Sequence, residues 1–415
     1  MLRLMNTRFL LATGTLLSAA LGCRDDAESP AEPAPIPALA NMSEPVALAF
    51  SQVSAGGGHL WLTHTCGVTT DNRVYCWGSN DHGQLGVGTS TGPESCADPN
   101  PYIPACSTRP ITVLGGLRFR QVSAGWTHTC GVTIDYRAYC WGGNSGQLGD
   151  GTTTGRLRPV AVSGDLKFRQ VTAGFLHTCG VSYPDERPYC WGLNVSAQLG
   201  DGTTTQRLSP VAVAGGHRFR HVSAGQFHTC GVTTSGMAFC WGSNDEGQLG
   251  DSSTVGRRLR PSRVAGTRQF RQVDAGERHT CAVTISSRAF CWGDGRSGQL
   301  GNGKRNLSFW PRAVSGGISF DRVTAGGSHS CGETIANRAY CWGFGTLGDG
   351  TDLSHLTPVA VAGGLTFSQV TAGNGSTCGK TQQASLYCWG HNGSGNLGDG
   401  TTDERTTPTP VAGLI

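Results

Sequence analysis

The residues best able to do chemistry in this 415-residue chain are its 17 cysteines and 12 histidines. Sixteen of the cysteines fall into couples ten or eleven residues apart: Cys66/Cys76, Cys96/Cys106, Cys130/Cys140, Cys179/Cys190, Cys230/Cys240, Cys281/Cys291, Cys331/Cys341 and Cys378/Cys388. Cys23 is left over. His64, His128, His177, His228, His279 and His329 each stand two residues before the first cysteine of a couple, whereas Ser376 holds that place before Cys378. Thiolate and imidazole are the usual zinc ligands, so a metal site has to be weighed. The cysteines persist where the histidine is lost, and the N-terminus carries an export pattern. Structural disulfides, and no metal, are therefore expected. Six equivalent histidines do not read as a catalytic base, which is normally singular and has a dedicated partner. They are expected to hydrogen-bond within or between repeats. Gly-Asp-Gly at Asp150, Asp201, Asp349 and Asp399 suggests a phosphate loop, but such a loop leads into a helix and none is patterned here. These segments read as turns. No catalytic residue, cofactor or enzyme activity is expected.

What positions these residues is an internal repeat. Cys-Trp-Gly recurs seven times, at Cys76, Cys140, Cys190, Cys240, Cys291, Cys341 and Cys388. Ala-Gly precedes each, as at Ala124-Gly125, and Gly-Gln-Leu-Gly or a variant follows, as at 146–149. The spacing is about fifty residues, longer after the first unit. Periods of this length mark stacked or radial repeats. The composition, with 63 Gly and 14% charged residues, agrees with many short strands and tight turns.

One unit reads as four strands, exemplified by Phe168–Ala173, His128–Val132, Ala138–Trp141 and Pro159–Val162. Four short antiparallel strands repeated radially make a propeller blade, so an all-β, seven-bladed propeller is expected. Small Ala and Gly suit the crowded axis; Tyr and Trp suit the space between blades. Pairing Thr133 with Arg137 leaves a three-residue hairpin loop and sets Cys130 opposite Cys140. Such loops want a residue of positive φ last. Asn72, Gly236 and Asn337 meet that demand, and Tyr136 does not. The tail from Pro410 to Ile415 resembles a fourth strand that would complete blade seven.

The combination of Ala-Gly-x-x-His, Tyr-Cys-Trp-Gly and Asn-x-x-Gly-Gln-Leu-Gly, as in 244–250, resembles the RCC1 (regulator of chromosome condensation) repeat family over nearly everything after residue 45. The resemblance implies a seven-bladed propeller. It implies little about activity, because this fold hosts nucleotide exchange, light reception and enzyme inhibition alike.

Arg3 and Arg8 precede an apolar stretch from Phe9 to Leu21 ending in Ala20-Leu21-Gly22-Cys23. This is the pattern of a lipoprotein signal peptide, with Cys23 as lipid acceptor. Three segments follow: a signal at 1–23, an Ala/Pro/Glu-rich flexible tether at 24–44, and the propeller at 45–415. Export, to the outer membrane, the cell surface or the periplasm, with full secretion as the alternative, argues against nucleic acid as a partner. The formal net charge is +4, yet residues 256–312 hold 12 Lys and Arg against 3 Asp and Glu. That basic sector suits an acidic partner.

In a propeller, loops joining strands one to two and three to four share a face. Repeat one enlarges both, with Trp61 in the first and the Cys96/Cys106 segment in the second. The positions between Ala-Gly and His vary on the same face and include Trp126, Phe175, Phe227 and Arg278. Aromatic and Arg residues without a repeat-wide role are typical interface anchors. The expectation is a monomeric, non-enzymatic binding or scaffold protein that takes a partner protein on this face. An enzyme inhibitor is the alternative, and an envelope polysaccharide-binding protein a more distant one.

Overall fold

The computed structural model describes residues 48–57, 62–94, 96 and 105–413; Cys23, the 24–44 tether and Trp61 lie outside the described residues. Each repeat forms one four-stranded antiparallel sheet, seven in all, with the strands in chain order. The first blade is β1 (Phe50–Ala55), β2 (His64–Thr69), β3 (Val74–Ser79) and β4 (Cys106–Thr112). The second is β5 (Phe119–Ala124), β6 (His128–Thr133), β7 (Ala138–Gly142) and β8 (Arg156–Ala161). The tail does not supply the last fourth strand. Arg405–Pro410 already fills that place, and Val411 N–H bonds the Leu386 carbonyl at 3.0 Å. The fourth strands begin about three residues earlier than the Pro-Val pair suggests, because they are outer edges where proline costs no ladder bond.

The hairpin register is as the sequence predicts. Val132 faces Ala138, Cys130 faces Cys140, and Thr133 N–H bonds the Arg137 carbonyl at 2.9 Å. Tyr136 does adopt positive φ (69°). Its ring stacks on Tyr183 of the next blade at 4.0 Å and lies under Arg120 at 4.6 Å, contacts that offset the left-handed backbone. All eight cysteine couples are bridged, seven of them straight across the second and third strands with Cα atoms 4.0–4.1 Å apart. The disulfides thus staple blades internally and place the chain in an oxidising environment.

Between blades the links are non-covalent. The seven Cys-Trp-Gly tryptophans are fully buried, each at a blade interface. Trp141 Nε1 donates to the Gln84 carbonyl of the preceding blade at 2.9 Å, and the Thr129 hydroxyl donates to the same oxygen at 2.8 Å. His64 of the preceding blade then meets Thr129 Oγ1 at 2.7 Å. Since the threonine proton is already committed to Gln84, His64 must be the donor, with its proton on Nε2 and Nδ1 bare. The same His–hydroxyl contact recurs for His128, His177, His228, His279 and His329 at 2.8–2.9 Å. At the seventh interface, where Ser376 replaces histidine, Thr65 and Trp77 still converge on the Asn396 carbonyl at 2.8 and 3.0 Å. The ring closes without exchanging a strand.

Glycine follows from this packing. A Cβ on Gly125 would lie 2.6 Å from the Gly174 carbonyl and 2.7 Å from the His128 ring. Burial pushes the pKa of His128 from the usual range to about 3, and four of the other five relay histidines are held as low. A folded pKa below the unfolded value means this stability is present above about pH 6.5 and is lost as the pH falls toward 3. Acid unfolding is therefore expected between about pH 6 and pH 4, followed by circular dichroism. His128→Gln should make the slope of stability against pH shallower by about 1.4 kcal/mol per pH unit. A fold intact at pH 3 would contradict the relay.

Candidate protein-binding face at the channel mouth

The first strands line the central channel, and each ends in Ser/Thr/Asp-Ala-Gly. The hydroxyl before each alanine accepts the alanine N–H of the next blade: Ala124 to Ser54 at 3.0 Å, Ala173 to Ser123 at 3.0 Å, Ala372 to Thr324 at 3.1 Å. Ala55 to Thr371, at 3.5 Å, closes the circle. In blade five the acceptor is a carboxylate. Asp274 takes Ala325 N–H at 2.8 Å and the Ser223 hydroxyl at 2.8 Å. Burial raises its pKa above the ordinary aspartate value, against the opposing pull of these bonds. The column of seven residues holds six hydroxyls and one acid, a departure visible in the sequence only when the repeats are aligned position by position.

Above this ring the channel opens into a cavity of about 140 Å³. In blades two to seven the residue after Ala-Gly points its N–H at the next blade's glycine carbonyl, as from Trp126 to Gly174 at 3.3 Å and Asn374 to Gly56 at 3.2 Å. That backbone bond leaves the side chain unconstrained, so the mouth is where the repeats diverge. On one arc Trp126 stacks flat on Phe175 at 4.1 Å, and Phe175 meets Phe227 at 5.6 Å. All three rings are half-buried. The opposite arc is polar: Gln226 donates to Glu277 at 3.2 Å, and Glu277 and Asn374 flank Gly327.

Of the expected anchors, the structure brings Trp126, Phe175 and Phe227 together. Arg278 is exposed and sits apart in an ion-pair cluster, 3.6 Å from Glu246 and 3.9 Å from Glu277, with Arg296 2.6 Å from the same Glu246. The basic sector also disperses. Arg257–Arg263 is an outer strand, Arg268, Arg271 and Arg288 lie toward the opposite face, and Arg278 and Arg296 lie on this one. A contiguous stretch of propeller sequence visits both faces and the rim, so charge in sequence does not become charge on one surface. The Gly-Asp-Gly turns are clips. Asp150 accepts Thr152 N–H and hydroxyl at 3.0 and 2.8 Å and pairs with Arg156 at 2.7 Å. Burial alone would raise the pKa of Asp150, yet the Thr152 and Arg156 bonds prevail and hold it below the usual range. Asp201, Asp399 and Asp349 repeat the clip with Arg207, Arg405 and His355. Among the described residues no group of three or more His, Cys, Asp or Glu is arranged to hold a metal ion.

Seven four-stranded blades, an Ala-Gly column at the axis and a Trp-carbonyl link between blades define an RCC1-type propeller. Comparison with known proteins agrees. The RCC1-like domain model matches residues 9–362, and the RCC1 repeat model matches 383–415. This chain belongs to the RCC1-like domain family. It is 29% identical over 265 residues to the ultraviolet-B receptor UVR8 of Arabidopsis thaliana, covering 61% of this chain and 58% of that one. It is 30% identical over 253 residues to the human E3 ubiquitin-protein ligase HERC2, covering 59% of this chain and 5% of that one. The chain thus spans less than two thirds of these curated relatives. Among solved structures, human WBSCR16 superposes with a TM-score of 0.73 at 22% identity, covering 82% of this chain and 94% of that one. Yeast RCC1 (Prp20), bound to Kap60, gives 0.70 at 20% identity, with 85% of each chain covered.

Asp274→Thr should complete the hydroxyl ring. A folded pKa above the unfolded one means Asp274 costs stability increasingly as the pH rises past its unfolded value near 4. The variant should therefore melt roughly 1–3 °C higher than the parent at pH 8. That gain should shrink as the pH approaches 4. A variant less stable at pH 8 would show that the carboxylate itself holds the ring.

Proposed function

We propose that this chain is a non-enzymatic cell-envelope binding or scaffold protein that recognises a partner protein with the channel-mouth face. The observation carrying this reading is the run of half-buried aromatic rings, Trp126, Phe175 and Phe227, beside the Gln226–Glu277 arc. Rigid aromatics next to polar groups in a recess are the composition of an interface centre. Family likeness supports it: Prp20 is described with binding to Gsp1p and histones, and yeast RCC1 with bound Kap60. The envelope assignment rests on the signal pattern ending at Cys23 and on the eight disulfides.

Affinity capture from envelope extracts with the intact chain should retain a protein partner. The Trp126→Ala/Phe175→Ala double variant should weaken the isolated complex by about 2 kcal/mol or more, some thirtyfold in Kd. Because the two rings stack on each other, a small fall in Tm accompanies the change. Unchanged affinity would exclude this face. If Cys23 is the lipid acceptor, the protein partitions into the detergent phase and Cys23→Ser releases it to the aqueous phase; partitioning unaffected by that change would refute lipidation.

A further inference from the structure

The opposite face, built from the hairpin loops and the links between blades, has a chemistry of its own. The hairpins at 70–73, 134–137, 183–187, 234–237, 285–288, 335–338 and 382–385, with the links at 113–120, 162–169, 213–220, 264–271, 314–321 and 361–368, hold 13 Lys and Arg against 6 Asp and Glu. That excess of seven exceeds the +4 of the whole chain, so this face is basic while the remainder is acidic on balance. Arg220 and Arg271 reach across blade boundaries to the Phe270 and Phe320 carbonyls, leaving their Nε atoms buried without a partner. Arg220, Arg169 and Arg322 all lie near enough to His221 to help depress its pKa, after the larger effect of burial. Positive charge is thus gathered around the channel's lower opening.

The same face carries apolar tips. Ile134, Ile285 and Ile335 are 56%, 61% and 64% exposed, and Tyr183 is 45% exposed. Each is the first residue of a hairpin loop. The loop needs only the backbone there: Ile134 N–H bonds the Arg118 carbonyl, and the turn is closed by Thr133 and Arg137. Thr70, Thr234 and Gln382 serve equally at that place in other blades, so the turn does not call for isoleucine. These tips occupy blades two, three, five and six, on opposite sides of the ring. An acidic peptide would engage one sector of the face. Apolar tips spread across the ring and interleaved with arginine match a plane that is anionic at its surface and hydrocarbon just beneath.

We propose that the hairpin face docks on an anionic lipid surface, inserting Ile134, Ile285, Ile335 and Tyr183 among headgroups that the arginines neutralise. The described chain starts at Leu48 and enters β1 at this same face, where Phe50 N–H bonds the Ala384 carbonyl at 2.8 Å. The orientation leaves the channel mouth facing away from the membrane. It does not depend on lipidation or on the protein-binding reading, and either can fail alone.

The test is vesicle sedimentation of the full chain carrying Cys23→Ser, so that no acyl chain contributes. With phosphatidylcholine vesicles containing about 30% phosphatidylglycerol, binding should be at least about tenfold tighter than to pure phosphatidylcholine. Ile134→Ser/Ile285→Ser/Ile335→Ser should weaken it by roughly tenfold at unchanged Tm. Arg288→Glu/Arg338→Glu should weaken it comparably and reduce its salt sensitivity. Absence of sedimentation with the anionic vesicles would overturn the proposal. So would binding that the isoleucine changes leave intact and that soluble polyglutamate abolishes, which would assign the face to an acidic protein.

Discussion

At six of the seven blade boundaries a single carbonyl carries this architecture; between blades six and seven Trp389 Nε1 is buried without an acceptor. The backbone oxygen of Gln84 accepts both the Trp141 indole and the Thr129 hydroxyl, and that hydroxyl accepts from His64. Three side chains from two blades are thereby fixed about one acceptor in a fully buried place, where leaving any of them unpaired would cost about 1–3 kcal/mol. The turn bearing the carbonyl has to present it inward, which sets the Asn-x-x-Gly-Gln-Leu-Gly sequence. Each histidine packs against the glycine that ends its own blade's axis strand, so that a Cβ on Gly125 would lie 2.7 Å from the His128 ring. Most of the repeat is the set of residues this one acceptor requires.

Covalent and non-covalent links divide the labour. The repeat disulfides join neighbouring strands of one blade, where the hairpin is already short, so they constrain the unfolded chain locally. No bridge among the described residues crosses a blade boundary. Cohesion of the ring rests on the buried tryptophans and the relay, and truncation of one such Trp to Ala removes about 3–5 kcal/mol. Reduction should therefore loosen hairpins before it opens the ring, whereas protonating the histidines attacks the boundaries directly.

Seven near-identical units made the fold legible, since Cys-Trp-Gly, the cysteine spacing and the hairpin register each appear seven times. Single-copy departures were harder to read. Arg278 looked like an anchor because it shares a loop with Trp126 and Phe175 in the alignment of repeats, but Glu246 and Glu277 hold it. Asp274 passed unnoticed because Ser/Thr and Asp are interchangeable as acceptors for the next alanine N–H. Glu333 replaces the valine seen at Val68 and Val132 in the interface core. Burial raises its pKa to about 7, and it bonds Val370 N–H at 3.2 Å beside Arg322. Arg322 stands where five of the other blades have a glutamine that makes this bond, as Gln121 does to Val171, and where blade four has His221. A compensated pair of changes 11 residues apart is invisible without the register that sets Arg322 opposite Glu333.

The two faces could diverge because the relay constrains the blade interior and leaves particular surface positions free. At the mouth, the contact that recurs from blade to blade is made by the N–H of the residue after Ala-Gly, so Trp126, Phe175, Glu277 and Asn374 can all stand there. At the other end, the first residue of the hairpin is held through its backbone, so Ile, Thr, Tyr and Gln all stand there, with Tyr183 adding its stack on Tyr136. Each blade offers one such position per face, and the ring assembles them into two circles of independently variable side chains. Specific chemistry therefore collects where the repeat demands least. Aromatic and carboxylate groups occupy one circle, and isoleucine with flanking arginine the other. A scaffold whose two ends vary without disturbing its boundaries can hold one surface against a support and present the other to a partner.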